Sequence, residues 1–162
     1  MAVLALDLGL DCGWCLWRAG DAMSSGVKRF RDLGPDRVRY RAFRLWLETQ
    51  RRELEAAGEK LNDVTFEYID FVPKEARRHQ GLHTYGAFRG LLLAWCETNG
   101  IADRPIAWDV VKLHVTGHRS AAKPLVTKRI QQLFPNVVDH NEADAVAVML
   151  TAQNKFAHQA PA

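Results

Sequence analysis

Residues 1–18 read MAVLALDLGLDCGWCLWR, and their pattern decides the fold. Ala2–Leu6 is a short apolar run that stops at Asp7 and Gly9, and a second run, Gly13–Trp17, begins after a turn containing Asp11. Two such runs joined by a tight polar connection indicate a buried strand and its antiparallel return. Asp7 therefore closes a strand too apolar to be a sheet edge. An unpaired buried carboxylate is costly, so this one needs a cation, a metal or several donors beside it. Alone, Asp-x-Gly also fits a turn in which the carboxylate bonds its own backbone. The acids further along the chain decide between the two.

The 162 residues suit one domain with a real core, placed over 1–155 with 156–162 as a tail. No apolar run reaches the ~18 residues of a membrane span, and residues 1–30 lack the pattern of a secretory signal. A soluble, cytoplasmic protein with no membrane partner is expected. Cys12, Cys15 and Cys96 are too few for a disulfide framework. The Cys12–Cys15 pair has C-x-x-C spacing but lies in the hairpin, with no second pair to complete a zinc site, so reduced structural thiols are expected.

The net charge of +3 is modest but uneven. Residues 28–52 hold nine Lys/Arg against Asp32, Asp36 and Glu48, and residues 112–129 hold five with no acid. Residues 53–70 carry six acids and only Lys60. Basic blocks of this kind suit a polyanionic partner, and equally suit solvated helix faces balanced elsewhere in space.

In order, the hairpin is followed by a third strand over Gly26–Phe30, closing a meander. Gly34-Pro35-Asp36 breaks the chain, and Asp36 is read as the N-cap of a helix running to Ala57 and stopped by Gly58. Val38, Ala42, Leu45, Trp46 and Leu54 recur near helical spacing as its buried face, with the arginines on the remainder. Val64–Phe71 alternates as a strand, putting Glu67 on the face opposite Val64 and Phe66. Pro73–Gln80 is a polar, basic loop. A helix over Leu82–Thr98, a strand at Pro105–Trp108 and a right-handed crossover imply parallel pairing. Short helices over Asp109–His114 and Lys123–Leu133 flank the basic loop Thr116–Ala122, and an alanine-rich helix spans Asn141–Asn154. The expected fold is α/β, a mixed five-stranded sheet flanked by helices.

Three acids now stand out, each embedded in apolar sequence on a separate element: Asp7, Glu67 and Asp144, the last within NEADAVAVML. Together they make a candidate divalent-metal site. Mg²⁺ and Mn²⁺ prefer carboxylate oxygens, and two ions about 3.5–4 Å apart stabilise both attacking and leaving oxygens in phosphodiester cleavage.

Over nearly its whole length the chain resembles the RuvC-type Holliday junction resolvases of the RNase H-like superfamily, phage-encoded members in particular. The resemblance rests on Leu4–Gly9 with Gly13 and Trp14, on Phe66-Glu67, on the helix carrying Gly86 and Gly90, on Val111-Lys112, on Val115–Lys123, and on Ala143–Ala147. It implies an RNase H-like fold and a homodimeric, metal-dependent, structure-selective endonuclease that nicks branched DNA, four-way junctions above all. It also implies Asp7, Glu67 and Asp144 as ligands of two Mg²⁺ or Mn²⁺ ions, with Lys112 and Lys123 near the scissile phosphate.

Two departures follow. The family opens its last helix with Asp-x-x-Asp, sometimes with His in the first place, whereas the gapless match here is Asn141. On a helix His140 and Asn141 share the face of Asp144, while Glu142 is rotated away by roughly 200°. Asn141 is taken as the fourth ligand, with His140 and Glu142 as alternatives; a neutral oxygen or an imidazole nitrogen implies a weakly held second ion and a preference for Mn²⁺, which accepts nitrogen more readily than Mg²⁺. The family's junction-wedging aromatic has only off-register candidates, Phe71 and Tyr68. Two other classes fit parts of the chain: a branched-nucleic-acid binding protein of this fold without catalysis, and an actin-like ATP-dependent phosphotransferase using the Asp7 hairpin as a phosphate loop.

Overall fold

Strand alternation sorts the side chains of the first hairpin onto two faces, and the fold is built from that sorting. The computed structural model describes residues 1–20, 22–68 and 80–157. Strand β1 (Ala2–Asp7) pairs antiparallel with β2 (Asp11–Arg18), which pairs antiparallel with β3 (Met23–Arg29). On its other side β1 pairs parallel with β4 (Leu61–Tyr68), and β4 pairs parallel with β5 (Ala102–Ala107). The sheet order is β3-β2-β1-β4-β5. Helices α1 (Asp36–Ala56) and α2 (Gln80–Asn99) cover one face. Helices α3 (Trp108–Thr116), α4 (Lys123–Leu133) and α5 (His140–Ala157) cover the other. This is the expected α/β architecture, a meander joined to parallel strands.

Ala2, Leu4 and Leu6 of β1 enter the core beneath α1 and α2, while Ala5 enters the core beneath α5. Asp7 has the parity of Ala5 and so falls on the α5 face. Val64 and Phe66 of β4 join the first core, which leaves buried Thr65 and then Glu67 on the α5 face. Register brings the two acids to one end, because Leu6 pairs with Phe66 and Asp7 with Gly13. Cys12 and Cys15 divide between the two cores as free, buried thiols. An odd spacing on a strand separates them, so they form no common site.

The first core centres on Phe30, Phe43 and Phe88, with ring centroids 5.7 Å apart for Phe30–Phe43 and 4.6 Å for Phe43–Phe88. This cluster corrects the expected phase of α1. Its buried residues are Phe43, Leu47 and Leu54, whereas Val38 and Leu45 are 40% and 52% exposed. Val38 and Leu45 lie about 200° around the helix from Phe43, and docking of Phe43 between Phe30 and Phe88 turns them to solvent. Asp36 is also the first helical residue rather than the cap, which falls at Pro35 with no side-chain bond. The far end is a Schellman turn: Gly58, at φ 75, donates to Glu55 O, and Glu59 N–H to Leu54 O, each at 2.9 Å.

Other boundaries move outward, since ladder pairing recruits polar residues that alternation does not mark: β3 starts at Met23, β4 at Leu61 and β5 at Ala102. Pro105 is tolerated because β5 is an edge. The residues of the basic loop before α2 up to 79, Phe71, and residues 158–162 of the tail lie outside the described residues. Among the described residues no helix is long and apolar enough to cross a membrane.

Candidate active site

The N-terminal turn of α5 docks on β2 at Gly13. A Cβ built there would lie 1.8 Å from the Asn141 carbonyl oxygen, so only glycine permits the approach. That contact carries Asp144, one turn further along α5, over the end of β1. Asp144 is wholly buried at 0% exposure, while Asp7 and Glu67 are half-buried.

These acids share one electrostatic neighbourhood. Burial, then the field of Asp144, pushes the Asp7 carboxyl up to about 7, against the opposing pull of Lys123. Burial likewise raises Glu67 to about 7, with Lys123 and Lys112 opposing and Asp144 adding. Asp144 is also raised, by burial first, with Lys123 drawing it back. Carboxyls buried and crowded in this way mark a place suited to a cation.

In this structure that cation is Lys123. Its Nζ lies 2.5 Å from Asp144 Oδ2. The contact is a short, charge-assisted one on Oδ2, and Asp144 Oδ1 is left buried without a donor. Lys123 is the first residue of α4, where the helix dipole disfavours a cation. Burial would lower its ammonium pKa, yet Asp144, Asp7 and Glu67 together raise it. Nζ also stands 6.0 Å from the Trp108 ring centroid, a contact with no sequence signal. Lys112, half-buried in α3, reaches the site through its field at Glu67.

Among the described residues no three His, Cys, Asp or Glu side chains stand close enough together to grip a single ion. The donor chemistry nevertheless fits a hard divalent cation: all-oxygen ligands, a buried Asp144 Oδ1 without a donor, and an ammonium on Oδ2 as a stand-in cation. Asp7, Glu67 and Asp144 would hold it.

Of the fourth-ligand candidates, Glu142 accepts a hydrogen bond from Ser25 Oγ at 2.7 Å, which turns it toward β3. His140 is exposed, its Nδ1 4.0 Å from Asp139 Oδ1, and its charge reaches Asp144. Asn141 donates from Nδ2 to Asp139 Oδ1 at 3.1 Å. Asp139 itself is the N-cap of α5, accepting the Asn141 backbone N–H at 2.8 Å. Sequence reasoning gave Asp139 no role, although Asp-His-Asn-Glu ahead of an apolar run has capping-box form. Tyr68 lies under the Arg89 guanidinium, 4.7 Å from its ring centroid, and Tyr85 Oη donates to the Glu67 carbonyl at 2.9 Å.

Sheet order, strand directions and the helices on both faces define an RNase H-like α/β fold. The same fold is seen in RuvC of Thermus thermophilus, at TM-score 0.69 and 20% identity, covering 98% of this chain and 96% of that one. RuvC of T. thermophilus in complex with a Holliday junction substrate gives TM-score 0.74 at 18% identity, with the same coverage. The yeast mitochondrial Holliday junction resolvase Ydc2 gives 0.52 at 10% identity, covering 96% of this chain and 80% of its own. No protein-family model and no curated protein sequence matches the chain.

Proposed function

We propose that this protein is a metal-dependent endonuclease that nicks branched DNA, four-way junctions in particular, in recombination, repair or the processing of phage DNA. One observation carries the reading: Asp7, Glu67 and Asp144, from β1, β4 and α5, converge around Lys123, which pairs with Asp144 and whose charge is felt at all three. A structural role would not need three acids from separate elements to converge on one lysine, since a buried pair suffices. The fold shared with junction resolvases supports the substrate class.

When bound, Mg²⁺ or Mn²⁺, as two ions, would supply a water ionised near neutral pH and neutralise charge on the phosphodiester. Asp7, Glu67 and Asp144 would hold the ions, with Asn141 as a neutral fourth ligand. Lys123, whose ammonium stands beside Asp144, would stabilise charge developing on the phosphoryl oxygens. Lys112 lowers the cost of bringing a phosphate beside Glu67. Each protomer of a homodimer would make one of two symmetric nicks, since C2 symmetry in the enzyme matches that of the junction.

Incubation with labelled four-way, Y-shaped and linear duplex DNA, with and without Mg²⁺ or Mn²⁺, tests the proposal. Nicks should appear in the branched substrates only with metal. Asp7→Asn and Glu67→Gln should abolish them while junction affinity stays within a few-fold of wild type, because phosphate contacts are retained. Near wild-type cleavage by either variant sinks the site assignment.

A second reading has its own support. The Lys123–Asp144 pair, and the lack among the described residues of three side chains gripping one ion, suit a branched-DNA binding protein of this fold without chemistry. Tight junction binding with no nicking in either ion would establish it.

A further inference from the structure

The first turn of α5 is tied down in a way that three metal-binding acids do not require. Asp139 Oδ1 accepts both the Asn141 backbone N–H, at 2.8 Å, and Asn141 Nδ2, at 3.1 Å. Its other oxygen, Oδ2, meets Arg29 Nη2 of β3 at 3.3 Å. Glu142, which a capping box would turn back toward Asp139, bonds Ser25 instead. The Asn141 backbone carbonyl is pressed on Gly13, so its residue has little freedom to slide.

An ionised carboxylate only accepts, so the Asn141 amide must offer its NH₂ to Asp139 and carry Oδ1 on its other side. Asn141 precedes Asp144 by three residues and shares its helix face. We infer that Asp139 is a positioning residue: braced by Arg29, it fixes the Asn141 amide with oxygen rather than NH₂ toward the Asp7 and Asp144 carboxylates. An asparagine free to flip would present NH₂ to an incoming cation part of the time, which repels it. The Asp139 charge is also felt at both Asp7 and Asp144, so it adds negative field where Asn141 supplies none. The inference rests on the reading of Asp7, Glu67 and Asp144 as cation ligands.

Calorimetric titration of the full chain with Mn²⁺, alongside thermal melts, tests it. Asp139→Ser keeps an N-cap, so the melting midpoint should barely move. Mn²⁺ affinity should fall on the order of tenfold, as for other residues that orient a ligand. Asp139→Asn retains an acceptor for the Asn141 amide and should stay within a few-fold of wild type. In an Asn141→Asp background the effect should vanish or reverse, because that ligand has no wrong end and Asp139 would repel it. Asp139→Thr takes the place of the Ser variant if the latter does not fold. Unchanged affinity in Asp139→Ser, or an equal loss in both backgrounds, overturns the positioning role. If Asp7→Asn abolishes binding while Asp139→Ser does not affect it, only the positioning role fails. If wild type takes up no Mn²⁺, or Asp7→Asn binds it equally well, the metal-site reading fails and the inference with it.

Discussion

Asp7→Asn should stabilise the protein in the absence of divalent metal. The Asp7 carboxyl is pushed from 3.8 to about 7, and each pH unit corresponds to about 1.4 kcal/mol. Ionising it in the fold therefore costs at most roughly 4 kcal/mol at pH 8. Coupling to Asp144 and Lys123, and partial exposure of Asp7, reduce this to about 2 kcal/mol. The sign follows from the raised value: stability is intact below the unfolded pKa and is lost as pH rises through the folded one. At pH 5, little more than a unit above the unfolded value, roughly 1.4 kcal/mol should still be at stake, and the difference closes only below about pH 4. For a domain of this size the gain at pH 8 is roughly 4–8 °C in melting temperature. Melts of wild type and variant in chelator at pH 5 and pH 8, repeated with excess Mn²⁺, measure it. Mn²⁺ should raise wild type and leave the variant unmoved, inverting their order. A variant that melts below wild type at pH 8 in chelator, or a gap equal at both pH values, refutes the reasoning.

Lys123→Ala should lower the cleavage rate by about a hundredfold while junction affinity changes only a few-fold, since its charge acts on the transition state; single-turnover kinetics separate the two. Arg37 and Arg41 are exposed and have no acidic partner among the described residues, whereas Arg39, Arg51 and Arg52 pair with Asp36, Glu48 and Glu55. Arg37→Ala and Arg41→Ala should each reduce the slope of log affinity against log salt by about 0.9 if they contact phosphates, measured by anisotropy on a four-way junction. Gly13→Ala should cost on the order of 3 kcal/mol, because its Cβ would displace the Asn141 carbonyl; a denaturant melt close to wild type would show that α5 can shift freely.

The sheet was legible because β1 is short, apolar and bounded by turn residues and β4 alternates, which sets Glu67 opposite Val64 and Phe66; that Asp7 shares its face follows only from the two cores. The phase of α1 was not. Val38, Ala42 and Leu45 make as plausible a stripe as Phe43, Leu47 and Leu54, and only Phe30 and Phe88, from distant elements, decide between them. At the candidate site, the acids could be picked out because charge inside apolar sequence is conspicuous. The partners that hold them could not: Arg29 reaches Asp139 across 110 residues, and Ser25 reaches Glu142 across 117. A cap such as Asp139 is local and readable, but what braces it is tertiary.

Lys123 shows why the site is costly to maintain. A lysine at the first position of α4 opposes the helix dipole, by about 0.3–1 kcal/mol. Asp144, wholly buried, would be expensive to ionise alone. Each offsets the other's unfavourable placement, so neither can be removed without exposing the cost of its neighbour. The pair thus holds a positive charge where β1 and β4 end and α5 begins, with Asp7 and Glu67 raised toward neutrality around it. A site balanced in this way folds without metal, because Lys123 and partial protonation limit the repulsion among the acids. If the acids hold metal as proposed, uptake should be strongest above pH 7, where Asp7 and Glu67 give up their protons and Lys123 alone no longer balances Asp144 and its neighbours.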